Sequence, residues 1–122
     1  MQTKYGYSMA DWENAKVEVR EILIKRAKVP KTISYAQLVE KITTIYLEPH
    51  SYALAHILGE ISEDEDNDGR GMLSVLVVNR DSGIPGQGFF ELAEALGRDT
   101  HDKEKCWVDE LKKVHEYWKS KT

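Results

Sequence analysis

Asp64, Asp66 and Asp68 alternate along the chain and are followed at once by Gly69. Carboxylates at this spacing, with a glycine to turn the backbone, open the loop of a calcium-binding helix–loop–helix motif, because calcium takes about six to eight oxygen ligands. The twelfth position of such a loop is Val75, where the chemistry needs a bidentate glutamate. Calcium would have to draw its missing oxygens from Glu60 or Glu63. A solvated acidic turn explains the same residues without any metal.

A second cluster is Gly83-Ile84-Pro85-Gly86-Gln87-Gly88, set between an apolar run and a helical pattern. Gly83, Gly86 and Gly88 could let backbone N–H groups gather around an anion at a helix start. No Lys-Ser/Thr follows, so this is not a phosphate-binding P-loop, and the full dinucleotide fingerprint is missing. As a purely structural element, Pro85-Gly86 suits a type II turn with Gly86 at positive φ. The third cluster is basic: Lys16, Arg20, Lys25, Arg26, Lys28 and Lys31, with Arg80 and Gln87 on the glycine loop. Lysines and arginines grouped this way would contact nucleic-acid phosphates.

Nucleophilic and metal chemistry find little support. His50 and His56 lie six apart, whereas a helical zinc pair uses a spacing of four. His101, Cys106 and His115 match no ligand spacing. Cys106 beside Trp107 reads as a small buried residue. Asp81 with Glu91 resembles a nuclease carboxylate pair, but no lysine stands at a matching distance. No catalytic residue and no cofactor is assigned, and the balance is against an enzyme.

These residues depend on helices to position them. Trp12, Ala15, Val19, Ile22, Leu23 and Ala27 recur at helical spacing and predict a helix from Ala10 to Lys28, stopped by Pro30. Ser34-Tyr35-Ala36-Gln37 predicts a capping box opening a second helix, with Leu38, Val39, Ile42 and Ile45 inward. A third helix follows Pro49, capped at His50 or Ser51, with Leu54, Ile57, Leu58 and Ile61 buried. Gly59 inside it costs about 1 kcal/mol and predicts a close packing contact. Its expected outer face, Ser51, Tyr52, Ala55, His56 and Glu60, lacks the side chains that read bases. EDEDNDGRG predicts a polar loop, and Met72–Asn79 (MLSVLVVN) a strand covered on both faces. A short helix from Phe89 to Leu96, closed by Gly97, precedes an amphipathic helix over 101–119 with Trp107, Leu111, Val114 and Trp118 in one stripe.

Composition sets the frame. With 122 residues, 41% of them hydrophobic, the chain fits one folded domain. One cysteine excludes an internal disulfide and fits a reducing, cytoplasmic compartment. No apolar run approaches the roughly 20 residues of a membrane helix, and the first sixteen residues lack a signal-peptide core. Net charge is −4, but it is uneven. Residues 1–39 hold seven Lys/Arg against four Asp/Glu, and residues 40–70 hold two against eight. Nucleic acid could be held only by a local patch.

The stretch GMLSVLVVNRDSGIPGQGFFELAEALGR resembles a segment of small bacterial proteins of unassigned function, of the form LSxxVVxxxxGxPGxGFFxLA. With ISYAQLVEKI, that resemblance covers roughly residues 30–98 and implies no activity. The chain also resembles the C-terminal domain of the O6-alkylguanine-DNA alkyltransferase family. Ile33-Ser34-Tyr35 resembles its tyrosine-containing helix start, and Val77-Val78-Asn79 the end of its Pro-Cys-His-Arg-Val-Val strand. The reactive cysteine would fall near Ser74, and Pro-Cys-His-Arg is not present, so the resemblance implies a winged-helix fold without alkyl transfer.

The expectation is therefore a mostly helical α+β domain over residues 1–122, with 1–9 flexible. It is winged helix-turn-helix-like, with one buried strand, a glycine-rich loop and a long C-terminal helix. A non-catalytic nucleic-acid-binding module is the leading functional expectation. One alternative is a protein-interaction or homodimeric regulatory subunit using Tyr5, Tyr7, Trp12 and Tyr117. The other is a small-ligand or anion binder on the Gly83–Gly88 loop.

Overall fold

In the computed structural model, which describes residues 3–121, the chain forms five α-helices and two pairs of very short strands. β1 (Thr3–Lys4) and β2 (Tyr7–Ser8) make an antiparallel hairpin. Its turn places Tyr5 and Gly6 both at positive φ, 52° and 87°, as tight hairpin turns demand. Ser8 then accepts the Asp11 N–H at 3.1 Å and starts α1 (Met9–Lys28). Trp12, Ala15, Val19, Leu23 and Ala27 are buried along one stripe of α1, which ends before Pro30.

β3 (Ile33–Ser34) leads into α2 (Tyr35–Lys41). The expected capping box is present: Gln37 N–H donates to Ser34 Oγ at 3.1 Å, and Ser34 N–H donates to Gln37 Oε1 at 3.2 Å. A connector over residues 42–51 ends at Ser51, whose hydroxyl caps α3 (Tyr52–Asn67) by accepting the Leu54 N–H at 3.2 Å. Leu54, Ile57, Leu58 and Ile61 are buried as their spacing predicts.

Two expectations fail after that point. The acidic run is helical through Asn67, with Asp68 as the C-cap, where a loop was expected. It stays helical because its carboxylates face cations, two of them from other parts of the chain and one, Arg70, from the run's own end. Glu65, 1% exposed, accepts from Arg20 at 3.2 Å and from Arg70 at 2.5 Å, and Asp66 accepts from Arg98 at 2.6 Å. The second failure is the long strand. Leu73–Leu76 is a turn of 3-10 helix, and only Val77–Val78 (β4) is extended. Every residue from Met72 to Val78 is buried, so the apolar run reported burial correctly and backbone shape wrongly.

This buried turn is the centre of the molecule and packs against α1, α3 and α5. Its entry is tight. Gly71 has φ +90°, and a Cβ there would stand 3.0 Å from Val114 Cγ2 and 3.2 Å from Glu110 Oε2. β4 pairs in parallel with β3, Ile33 opposite Val77 and Ser34 opposite Val78. The glycine loop over 79–86 then leads into α4 (Gln87–Ala95), with no return strand among the described residues, and the chain closes with α5 (Lys103–Trp118) capped by Asp102. The architecture is α+β and predominantly helical around one core cluster. Among the described residues, no helix is long and apolar enough to cross a membrane.

Candidate functional site: an apolar cleft between α2, α3 and α4

The parallel pairing of β3 and β4 brings the start of α2 beside the glycine loop. Between them and α3 lies a cleft of about 750 Å³. That volume falls in the range of sites for small organic ligands. Leu54 and Leu58 of α3, with Phe89 and Leu92 of α4, supply apolar lining. Tyr35 and His50 lie on its edge, their rings 5.2 Å apart. Tyr35 also braces the loop: the Gly86 N–H donates to its hydroxyl at 3.1 Å. A Cβ at residue 86 would stand 3.2 Å from that hydroxyl oxygen, so close approach to Tyr35 is what glycine permits here.

The polar groups in the lining are few. Ser74, 7% exposed, shares a 2.7 Å hydrogen bond with the Ser62 hydroxyl, and Ser62 Oγ accepts the Ser74 N–H at 3.0 Å. Asn79 ties the loop shut: its N–H donates to the Ile84 carbonyl and its own carbonyl accepts the Gly83 N–H, both at 2.8 Å. Tyr52, 82% exposed, stands at the first turn of α3 on the rim. His56 stacks on Tyr5 at 4.7 Å, and Tyr5 on Trp12 at 5.4 Å. Glu60 on the same rim is neutralised by Lys4 at 2.7 Å and Lys16 at 3.3 Å. Burial alone would raise the Glu60 carboxyl, but hydrogen bonds from Lys4, Trp12 and Lys16 outweigh it and hold the carboxyl below its ordinary value.

Gly59 differs from its expected role. A Cβ there would meet only Leu92 Cδ2, at 3.9 Å, an ordinary contact. Gly59 does not serve a tight packing contact; it leaves part of the cleft unfilled. Gly86 also differs: its φ is −74°, so no type II turn is centred there, and the left-handed residue of the loop is Gly83 at +72°. The N–H groups of Gly83 and Gly86 are already bonded within the protein, and Gly88 lies in the first turn of α4. The loop shapes the cleft; it is not an open nest of donors.

The basic cluster is divided. Lys16 is committed to Glu60 and Asp64, and Arg20 to Glu65, with its guanidinium 5.7 Å above the Trp118 ring. Arg26 donates to the Thr32 carbonyl at 2.8 Å. Lys25, Lys28, Lys31 and Arg80 form no salt bridge among the described residues, and Gln87 sits on the cleft rim, accepting from Lys103 at 3.1 Å. The three aspartates of the supposed calcium loop point apart: Asp64 pairs with Lys16, Asp66 with Arg98 and Asp68 with Arg70. Cys106 is buried, and burial with the nearby Glu110 charge pushes its thiol up, away from nucleophilic chemistry.

Sequence reasoning did not gather Tyr35, His50, Ser74 and Leu92 into one site. The signal for Tyr35 was its capping box, which fixes it at the head of α2. Ser74 was marked only by its place in the alkyltransferase resemblance. His50 was weighed as a zinc ligand and as a cap of the third helix, not as part of a cleft. Comparison with known proteins finds no family model, no curated protein and no solved structure similar to this chain.

Proposed function

We propose that this chain is a non-catalytic nucleic-acid-binding module of winged-helix type, which receives one unstacked base in the cleft between α2, α3 and α4. The observation that carries the reading is the cleft itself, an apolar recess with Tyr35 and His50 at its edge and the exposed Tyr52 on its rim. A base taken out of a duplex is read by stacking on aromatic or apolar walls and by a few hydrogen bonds. Ser74 and Asn79 are polar groups of that kind, and Tyr52 is placed to fill the gap a displaced base leaves. The resemblance to the alkyltransferase C-terminal domain supports the same reading, since its two matching segments, Ile33–Tyr35 and Val77–Asn79, lie side by side through the β3–β4 pair.

The activity is binding and not transfer. On that resemblance the family's cysteine would fall near Ser74, and a serine hydroxyl bonded to another serine has no base to activate it. Phosphate contacts fall to Lys25, Lys28, Lys31 and the loop residue Arg80. Four such contacts on a single strand give a salt dependence of roughly −3 in log K against log salt.

Fluorescence anisotropy at low salt tests the reading, using single-stranded, fully paired and single-mismatch oligonucleotides. Binding is expected to be tighter to the mismatch duplex than to the paired one, because an unpaired base costs less to extract. The Gly59→Leu substitution separates binding from folding. Replacing a mid-helix glycine removes a penalty of about 1 kcal/mol, so the fold is retained while the leucine occupies the cleft. Loss of mismatch preference in Gly59→Leu is the expected result. No binding by the wild type at micromolar concentration overturns the proposal. A planar metabolite in place of a base is the second reading that the cleft favours, and a thermal-shift series with free nucleobases and nucleosides separates the two.

A further inference from the structure

Away from the cleft, one carboxylate gathers an unusual share of donors. Glu18, on α1, accepts the Thr43 N–H at 2.9 and 3.0 Å and the Thr43 hydroxyl at 2.6 Å. It also accepts the Thr44 N–H at 3.1 Å and the Thr44 hydroxyl at 2.9 Å. Successive backbone N–H groups aimed at one point form a nest whose natural occupant is an anion. Here that occupant comes from the protein's own chain, 25 residues earlier. Thr43 and Thr44 follow Ile42, the C-cap of α2, and open the irregular connector that ends at Ser51. The same connector delivers His50 to the cleft edge and sets the first turn of α3, which carries Tyr52. Among the described residues, its other hydrogen bond to the N-terminal part of the chain runs from the Tyr7 hydroxyl to the Tyr46 carbonyl at 2.7 Å.

We infer that Glu18 is a positioning residue: it fills the Thr43–Thr44 nest as an internal anion and thereby fixes the connector that holds His50 and Tyr52 at the cleft mouth. This goes beyond the nucleic-acid reading and does not depend on what the cleft binds. The nest supplies two N–H and two O–H groups, so a carboxylate satisfies it fully. A glutamine in its place would turn an NH2 group toward N–H donors. A carboxylate supplied from solution can take the place of Glu18, which a side chain acting only through packing would not allow.

The test uses the full chain and amide exchange read by NMR. In Glu18→Ala the Thr43 and Thr44 amides are expected to exchange about tenfold faster, the change that follows when an opening no longer breaks one charge-assisted hydrogen bond. The His50 ring resonances move with them. Millimolar formate restores both in Glu18→Ala and leaves the wild type unchanged. The double variant Thr43→Val/Thr44→Val, which leaves α1 and both N–H groups intact and removes the two hydroxyls, shows a smaller displacement of the His50 and Tyr52 resonances in the same direction and no response to formate. Wild-type exchange and wild-type His50 resonances in Glu18→Ala overturn the inference. So does a failure of formate to act on Glu18→Ala. If Glu18→Ala does not fold, the double variant decides alone, and unmoved His50 and Tyr52 resonances overturn it. No arm needs nucleic acid, so failure here is distinct from failure of the binding proposal.

Discussion

Glu110 shows how much a single buried charge organises. It is 4% exposed, accepts the Met72 N–H at 2.9 Å, and takes two bonds from Arg98 at 3.0 and 3.1 Å. It therefore ties α5 both to the start of the central turn and to the segment after α4. Removing it leaves the buried Met72 N–H without an acceptor and strips Arg98 of one of its two carboxylates. Glu110→Ala is expected to lose about 3–5 kcal/mol in urea denaturation. A loss under 1 kcal/mol would contradict the role assigned to it. Glu18, half-buried, carries a pH signature of its own. Burial is the largest single influence and raises its carboxyl, but the hydrogen bonds from Thr43 and Thr44 together prevail and lower it below the ordinary value. A group depressed in the folded state adds stability above its unfolded value, about 4.3, and the addition vanishes as pH falls through the folded value. The stability difference between wild type and Glu18→Gln is thus expected to be constant above about pH 5 and to shrink below it. Denaturation curves at a series of pH values check this, and a difference that grows in acid would contradict it.

At the scale of elements, what could be read in the sequence was what local chemistry decides. The capping box at Ser34 and Gln37, the cap at Ser51, the arrest of α1 before Pro30 and the buried stripes of α1 and α3 all follow from residue types at fixed offsets. Ser51→Ala is expected to cost about 1 kcal/mol, the usual loss for a helix N-cap, and to loosen the first turn of α3 that carries Tyr52. Thermal denaturation with hydrogen exchange at Ala53 and Leu54 measures both, and unchanged protection at Leu54 would contradict the capping role. What could not be read was decided by tertiary partners. Met72–Val78 is apolar throughout, and an apolar run has no period to separate a strand from a buried 3-10 turn. The acidic segment looked like a loop because helix propensity and charge repulsion are local quantities. Arg20 and Arg98 approach it from two other places in the sequence, and Arg70 folds back on it from the segment's own end. The site was dispersed for the same reason: Tyr35, His50, Ser74 and Leu92 meet only because β3 and β4 pair across 44 positions.

Over the whole molecule, charge serves structure before it serves binding. The basic excess of the first 39 residues and the acidic excess of residues 40–70 meet in the folded chain, where Lys4, Lys16 and Arg20 pair with Glu60, Asp64 and Glu65. Of the basic residues expected to meet phosphates, Lys16, Arg20 and Arg26 are taken up within the fold and Lys25, Lys28, Lys31 and Arg80 remain, so affinity from the backbone of a nucleic acid is modest. Specificity then has to come from the cleft. The most direct test is a map of amide shifts in the wild-type protein as an oligonucleotide duplex with one mismatched base is added. Shifts centred on Tyr35, His50, Ser74, Asn79 and Leu92, and lost in Gly59→Leu, are expected if the cleft receives the base. Shifts confined to Lys25, Lys28 and Lys31, or no shifts at saturating oligonucleotide, would contradict it.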